Sequence, residues 1–129
     1  MLLKSKMHVL IVDDDPIQQK VISLLLKSVL DTPEISYSNN GIEALAHFNL
    51  KTPLDYVFID LHMPVMDGWE LLDILESRWS PEKKSPKIFV LSSTISPEEI
   101  DRVHRFKTVH DFIIKPLTKE VIKEIIPNN

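Results

Sequence analysis

Tyr56-Val57-Phe58-Ile59-Asp60-Leu61-His62-Met63-Pro64-Val65-Met66-Asp67-Gly68-Trp69-Glu70-Leu71-Leu72 holds a strand, a turn and a helix start in succession. Tyr56 to Ile59 is a continuous apolar run of β-formers, suited to a strand covered on both faces. Pro64 and Gly68 punctuate the loop that follows. Asp67 with Glu70 three residues on fits a capping box, in which the short side chain takes a free N–H and the glutamate reaches back to the cap. Leu71, Leu72 and Leu75 then recur at helical spacing.

The same unit recurs on both sides of this stretch. Val9 to Val12, Ile88 to Leu91 and Phe112 to Ile114 are further apolar runs. Glu34 to Ser38 alternates instead, which places it at a sheet edge. Asp15 with Gln18, Asn40 with Glu43, and Ser96 with Glu99 repeat the capping pattern, and Thr118 starts the last helix. Pro16 and Pro97 occupy first helical positions, where a missing N–H costs nothing. The apolar stripes are Ile17, Val21, Leu24 and Leu25; Ile100 and Val103; and Val121, Ile122, Ile125 and Ile126. The pattern predicts an α/β fold, a doubly wound (βα)5 sandwich with helices on both faces of a parallel sheet.

Length and composition narrow the function. The 129 residues suit one domain, 1–129. The absence of cysteine excludes disulfides and thiolate-bound zinc, and fits a cytoplasmic protein. A net charge of -4 and the lack of a basic region or helix-turn-helix argue against direct nucleic-acid binding. The apolar stretch near the N-terminus, Val9 to Val12, is too short for a signal core or a membrane span. Ser80 to Pro86 reads as an exposed loop.

In such sheets ligands bind outside the carboxyl ends of the strands. Asp13, Asp14 and Asp15 follow the first strand, Asp60 the third, Ser92 and Ser93 the fourth, and Lys115-Pro116 the fifth. Carboxylates gathered in one place repel, so some must bind protons or a cation. A hard divalent ion answers this, and Mg²⁺ prefers one or two carboxylates plus phosphate oxygens and water. A carboxylate can attack phosphorus, with Mg²⁺, an ammonium and a hydroxyl neutralising the transferring oxygens. Asp15 and Asp67 read as helix caps.

Five features in order resemble the response-regulator receiver family: Val12-Asp13-Asp14, Asp60-Leu61-His62-Met63-Pro64-Val65-Met66-Asp67-Gly68, Val90-Leu91-Ser92-Ser93, Phe112, and Lys115-Pro116-Leu117. The resemblance covers about residues 7–126 and implies a CheY-like sheet of order 2-1-3-4-5. It implies Asp60 as phosphoacceptor and Mg²⁺ held by Asp13, Asp14, Asp60 and the backbone carbonyl of His62. Lys115 would contact the phosphoryl group. Ser92 would be the hydroxyl that moves toward it, and Phe112 the coupled aromatic. The side chains of His62 and Thr94 are positions that would tune the site. Lys115-Pro116 is a candidate cis peptide. The implied donor is a sensor histidine kinase or histidine phosphotransfer protein, with output through the fourth helix, last strand and last helix. Ser92 stands where threonine is commoner, which keeps the hydroxyl. The loop after the third helix is slightly long and the last helix short.

Two other functions compete. A Mg²⁺-dependent phosphohydrolase of the haloacid-dehalogenase type also uses a strand-end aspartate, and Asp13-x-Asp15 superficially matches its opening motif. However, Ile17 stands where Thr or Val is expected, and no acid pair follows Lys115. A receiver-fold interaction module that is never phosphorylated would typically lack the acceptor, the acid pair or the lysine, all of which are here. The histidines show no metal-ligand spacing; most read as surface residues, with His62 nearest the site. Phe112 reads as core, and Trp69 and Trp79 as packing or surface aromatics.

Overall fold

The computed structural model describes residues 6–49 and 53–126. In chain order the elements are β1 (His8–Val12), α1 (Pro16–Val29), β2 (Glu34–Ser38), α2 (Gly41–Phe48), β3 (Tyr56–Asp60), α3 (Gly68–Ser77), β4 (Lys87–Ser92), α4 (Pro97–His104), β5 (Val109–Ile114) and α5 (Lys119–Ile125). The strands form one parallel sheet of order β2-β1-β3-β4-β5. The alternating segment is therefore an edge strand, as its pattern requires. The order reverses at β1, where the chain moves outward to β2 and then back to β3. Asp60 and Ser92 are the last residues of their strands.

Alternate residues of each central strand serve two apolar layers, because successive side chains point to opposite faces. Leu10, Val12, Val57, Ile59, Ile88 and Val90 cluster with Ala44 of α2, Leu71, Leu72 and Leu75 of α3, and Val103 of α4. Val9, Ile11, Tyr56, Phe58, Phe89 and Leu91 cluster with Ile22 and Leu26 of α1 and Ile122 of α5. Each fully buried side chain of this kind contributes roughly 1.5–3 kcal/mol. Stacking of Phe58 on Phe89, 5.7 Å between centroids, joins β3 to β4 inside the second layer.

Several local expectations need correction. On α1 the residues that enter the core are Ile22 and Leu26, with Leu25 of the expected stripe packed against them, while Ile17 (74% exposed), Val21 (44%) and Leu24 (56%) face outward. At 100° per residue the two sets lie on opposite sides of the helix. The expected stripe lies mostly on the outward side, because periodicity alone does not say which face meets the sheet. The full capping boxes are those at Asp67/Glu70 and Ser96/Glu99. Asp15 instead caps the N–H of Ile17, and Glu43 accepts from Asn39 while Asn40 caps Glu43. His8 is buried, with Nε2 3.0 Å from Ser36 Oγ. Phe112 is only partly buried, packed against the first layer.

Candidate functional site

The carboxyl ends of β1, β3, β4 and β5 gather the acidic, hydroxyl and lysine side chains that the sequence singled out. Asp13, Asp14 and Asp60 each offer a carboxylate oxygen, and these atoms lie within 4.8 Å of one another. Asp13 is 1% exposed and Asp60 8%, while Asp14 faces solvent. Lys115 Nζ lies 3.4 Å from Asp13 Oδ2 and 3.7 Å from Asp60 Oδ2. The far ends of the chain thus meet over one cluster. Asp15 lies outside this group as a cap, and Asp67 caps α3.

Each group is oriented by its own loop. Asp13 Oδ1 accepts the Asp15 N–H at 2.9 Å, and Asp60 Oδ1 accepts the His62 N–H at 3.1 Å. The His62 side chain is exposed. Lys115 N–H donates to the Ser92 carbonyl at 2.9 Å, tying β5 to β4, and the Lys115-Pro116 peptide is cis. Ser92 Oγ donates to the Thr94 carbonyl at 2.5 Å, so its hydroxyl is engaged within its own loop. Phe112 pairs in register with Val90, two residues before Ser92 on the neighbouring strand. Its ring lies 5.5 Å from that of His104 on α4.

Burial pushes the Asp13 carboxyl above its ordinary pKa and the Asp60 carboxylate adds to this. The Asp15 N–H and Lys115 oppose them without winning. The nearby ammonium therefore does not offset the burial of the Asp13 carboxylate. The donor set is all hard oxygen on a site open at Asp14, which fits a hard divalent cation.

The roles of three further residues were not read from the sequence. Gln19 Nε2 donates to the Asp13 carbonyl at 2.6 Å and to Asn39 Oδ1 at 3.0 Å, bridging the ends of β1 and β2. Gly68 packs so closely that an added Cβ would lie 2.6 Å from the Asp60 carbonyl oxygen and 2.7 Å from Leu61 Cα. Val65 holds φ 68° and is 74% exposed. That backbone region is a genuine outlier for a β-branched residue. Only Gly68 left a signal, as the glycine that closes the turn after Pro64.

The response regulator receiver domain model matches residues 9–127, and the chain belongs to that family. It is 29% identical to the hybrid signal transduction histidine kinase E of Dictyostelium discoideum, over 92% of this chain and 7% of the kinase. It is 32% identical to the two-component response regulator ORR1 of Oryza sativa subsp. japonica, over 92% of this chain and 53% of that protein. It thus spans about half or less of the length of both. Among solved structures, the chemotaxis protein CheY4 of Vibrio cholerae superposes with a TM-score of 0.78 at 25% identity, covering 95% of this chain and 97% of the other. The chain is thus a CheY-like receiver domain of the kind found in two-component systems. Among the described residues, no helix is long and apolar enough to cross a membrane.

Proposed function

We propose that this chain is a phosphorylation switch that accepts a phosphoryl group on Asp60, and that it is not an enzyme acting on a separate substrate. The observation that carries this reading is the convergence of Asp13, Asp14, Asp60 and Lys115 at the carboxyl edge of the sheet. A carboxylate oxygen of Asp60 attacks phosphorus, and the donor's bond to phosphorus breaks with its electron pair leaving on the donor. Asp13, Asp14, Asp60 and the His62 carbonyl are the groups that would hold Mg²⁺, which supplies charge neutralisation to the phosphoryl oxygens when bound. Lys115, whose ammonium lies 3.7 Å from Asp60 Oδ2, supplies a further positive charge. Ser92, released from Thr94, supplies a hydroxyl.

The donor in this reading is a histidine kinase or histidine phosphotransfer protein of the cytoplasm. A macromolecular donor is supported by the exposed apolar side chains of Ile17, in the first turn of α1 after the β1 acids, and Val65, in the loop after Asp60. Output runs through α4, β5 and α5. Ser92 leads through its loop to Ser96 and α4, and Phe112 lies against His104 of α4. Phosphorylation then biases an equilibrium between two packings, for which even a 1:99 to 99:1 reversal needs only about 5.5 kcal/mol.

Incubation with acetyl phosphate and Mg²⁺ tests this reading. Intact mass should rise by one phosphoryl group, and either EDTA or Asp60→Asn should abolish the gain. Steady turnover of a phosphate ester, with no stable adduct, would favour a phosphohydrolase instead.

A further inference from the structure

A cavity of about 340 Å³ opens at the opposite pole of the sheet from Asp60, among the segments that lead into β3, β4 and β5. Phe48, Leu54, Leu75 and Ile88 give it apolar walls, and Trp79 stands at its side. Its polar lining has one sign. His47, Arg78, Lys83 and Lys84 border it, and no aspartate or glutamate does among the described residues. This is notable in a chain with 19 acidic and 15 basic residues. The nearby carboxylates are engaged elsewhere: Glu76 with Lys107 and Thr108, and Glu82 with Ser80.

Two of the four basic groups have a local reason to be there. His47 lies in the last turn of α2 and Arg78 caps α3, where the negative ends of the helix dipoles favour cations. Lys83 and Lys84 lie outside any helix and enter no ion pair among the described residues. Arg78 spends one guanidinium N–H on Asn49 Oδ1 at 3.4 Å and keeps its fork geometry for a further acceptor. A pocket with apolar walls, an aromatic side and cationic side chains at its border has the composition of a small-molecule site, and its volume lies at the low end of their range, roughly 300–1,000 Å³.

We propose that this cavity binds a small planar aromatic phosphate of nucleoside-monophosphate size, with its ring system against Trp79 and its phosphate on Arg78, Lys83 and Lys84. The apolar walls favour a ligand with a ring system over a bare anion, and the bordering cations favour a charged ligand over a neutral aromatic. The site shares no residue with the acidic cluster, so the proposal stands apart from the phosphorylation reading.

Adenosine monophosphate, titrated against the ¹⁵N-labelled full chain in Mg²⁺-free buffer, is the probe. Amide shifts should concentrate at residues 47–49, 75–79, 83–88 and 108. Inorganic phosphate and adenosine should each bind at least about tenfold more weakly. The double variant Lys83→Glu/Lys84→Glu, which alters exposed loop residues, should raise Kd about tenfold or more, as should Trp79→Leu. A tenfold loss corresponds to about 1.4 kcal/mol. The proposal is overturned if no shifts occur at millimolar nucleotide, or if they centre on residues 13–15 and 60–62. It is equally overturned if inorganic phosphate binds as well as the nucleotide, or if either variant leaves Kd unchanged.

Discussion

Lys115 Nζ lies 3.7 Å from Asp60 Oδ2, across the cleft between the ends of β5 and β3. A phosphoryl group on Asp60 would place new oxygens beside this ammonium. Lys115→Ala should therefore still label at Asp60, but fail to transmit the change to α4. Trp69 offers the readout, because Arg102 of α4 sits over its ring at 4.1 Å and Phe106 lies 6.4 Å away. In a Trp79→Phe background, beryllofluoride should alter Trp69 emission in the parent and leave it unchanged in Lys115→Ala. Equal changes in both would remove Lys115 from the coupling.

Asp14 and Asp15 are adjacent and should respond differently to substitution. Asp14 belongs to the carboxylate cluster, whereas Asp15 spends its Oδ1 on the Ile17 N–H. Asp14→Ala should lose most Mg²⁺ affinity. Asp15→Ala should keep it and destabilise the fold by about 0.5–2 kcal/mol through loss of the cap. Mg²⁺ affinity of the parent should also fall as pH falls, because burial raises the Asp13 pKa and protons then compete for that carboxylate. Calorimetric titration at two pH values and urea denaturation separate these effects.

The loop between β3 and α3 contains opposite steric demands. Val65→Gly relieves a left-handed backbone that costs an L-residue roughly 1–2 kcal/mol, against about 0.5–1 kcal/mol of added chain entropy. A net stabilisation of about 0.5–1 kcal/mol is expected in urea denaturation. Gly68→Ala drives a methyl into the backbone of Asp60 and Leu61, which cannot swing aside. It should cost about 1–3 kcal/mol or more and reduce phosphoryl labelling. A neutral Gly68→Ala would contradict the close approach.

Glu76 ties α3 to the segment before β5. Its carboxylate accepts from Lys107 N–H at 2.9 Å, Thr108 N–H at 3.0 Å and Thr108 Oγ at 3.1 Å. Burial alone would raise its pKa; these donors and the Lys107 charge outweigh it and lower the pKa below the ordinary glutamate value. Its folded-state pKa is depressed, so its contribution is present above the unfolded value and is lost as pH falls through the folded one. Glu76→Gln should cost about 1.5–3 kcal/mol at pH 7, in the range for hydrogen bonds to a charged group. The difference from the parent should shrink on acidification toward pH 3. A gap independent of pH would remove the charge from the explanation.

The fold was legible because its signals are local. Four apolar runs, one alternating run and the boxes at Asp67/Glu70 and Ser96/Glu99 need no knowledge of distant residues. The order of the strands came from family resemblance, since periodicity does not say which strands are neighbours. The acidic cluster was legible because the fold delivers strand ends to one edge. Local reading failed where two solutions share one pattern. Of the α1 stripe Ile17, Val21, Leu24 and Leu25, only Leu25 packs against the sheet, and the contacts of the Asp15 and Glu43 side chains are displaced by one position from the expected boxes. The cavity beside Trp79 was not legible, because its wall is assembled from segments as far apart as His47 and Thr108.

Reductive trapping measures the central claim most directly. After reaction with acetyl phosphate and Mg²⁺, borohydride converts an aspartyl phosphate to homoserine, which peptide mass spectrometry locates to one residue. Homoserine at position 60 alone, absent with EDTA, is the result expected from the convergence of Asp13, Asp14 and Lys115 on Asp60. Homoserine at another aspartate with Asp60 intact, or no homoserine under conditions that add a phosphoryl group, would contradict the account.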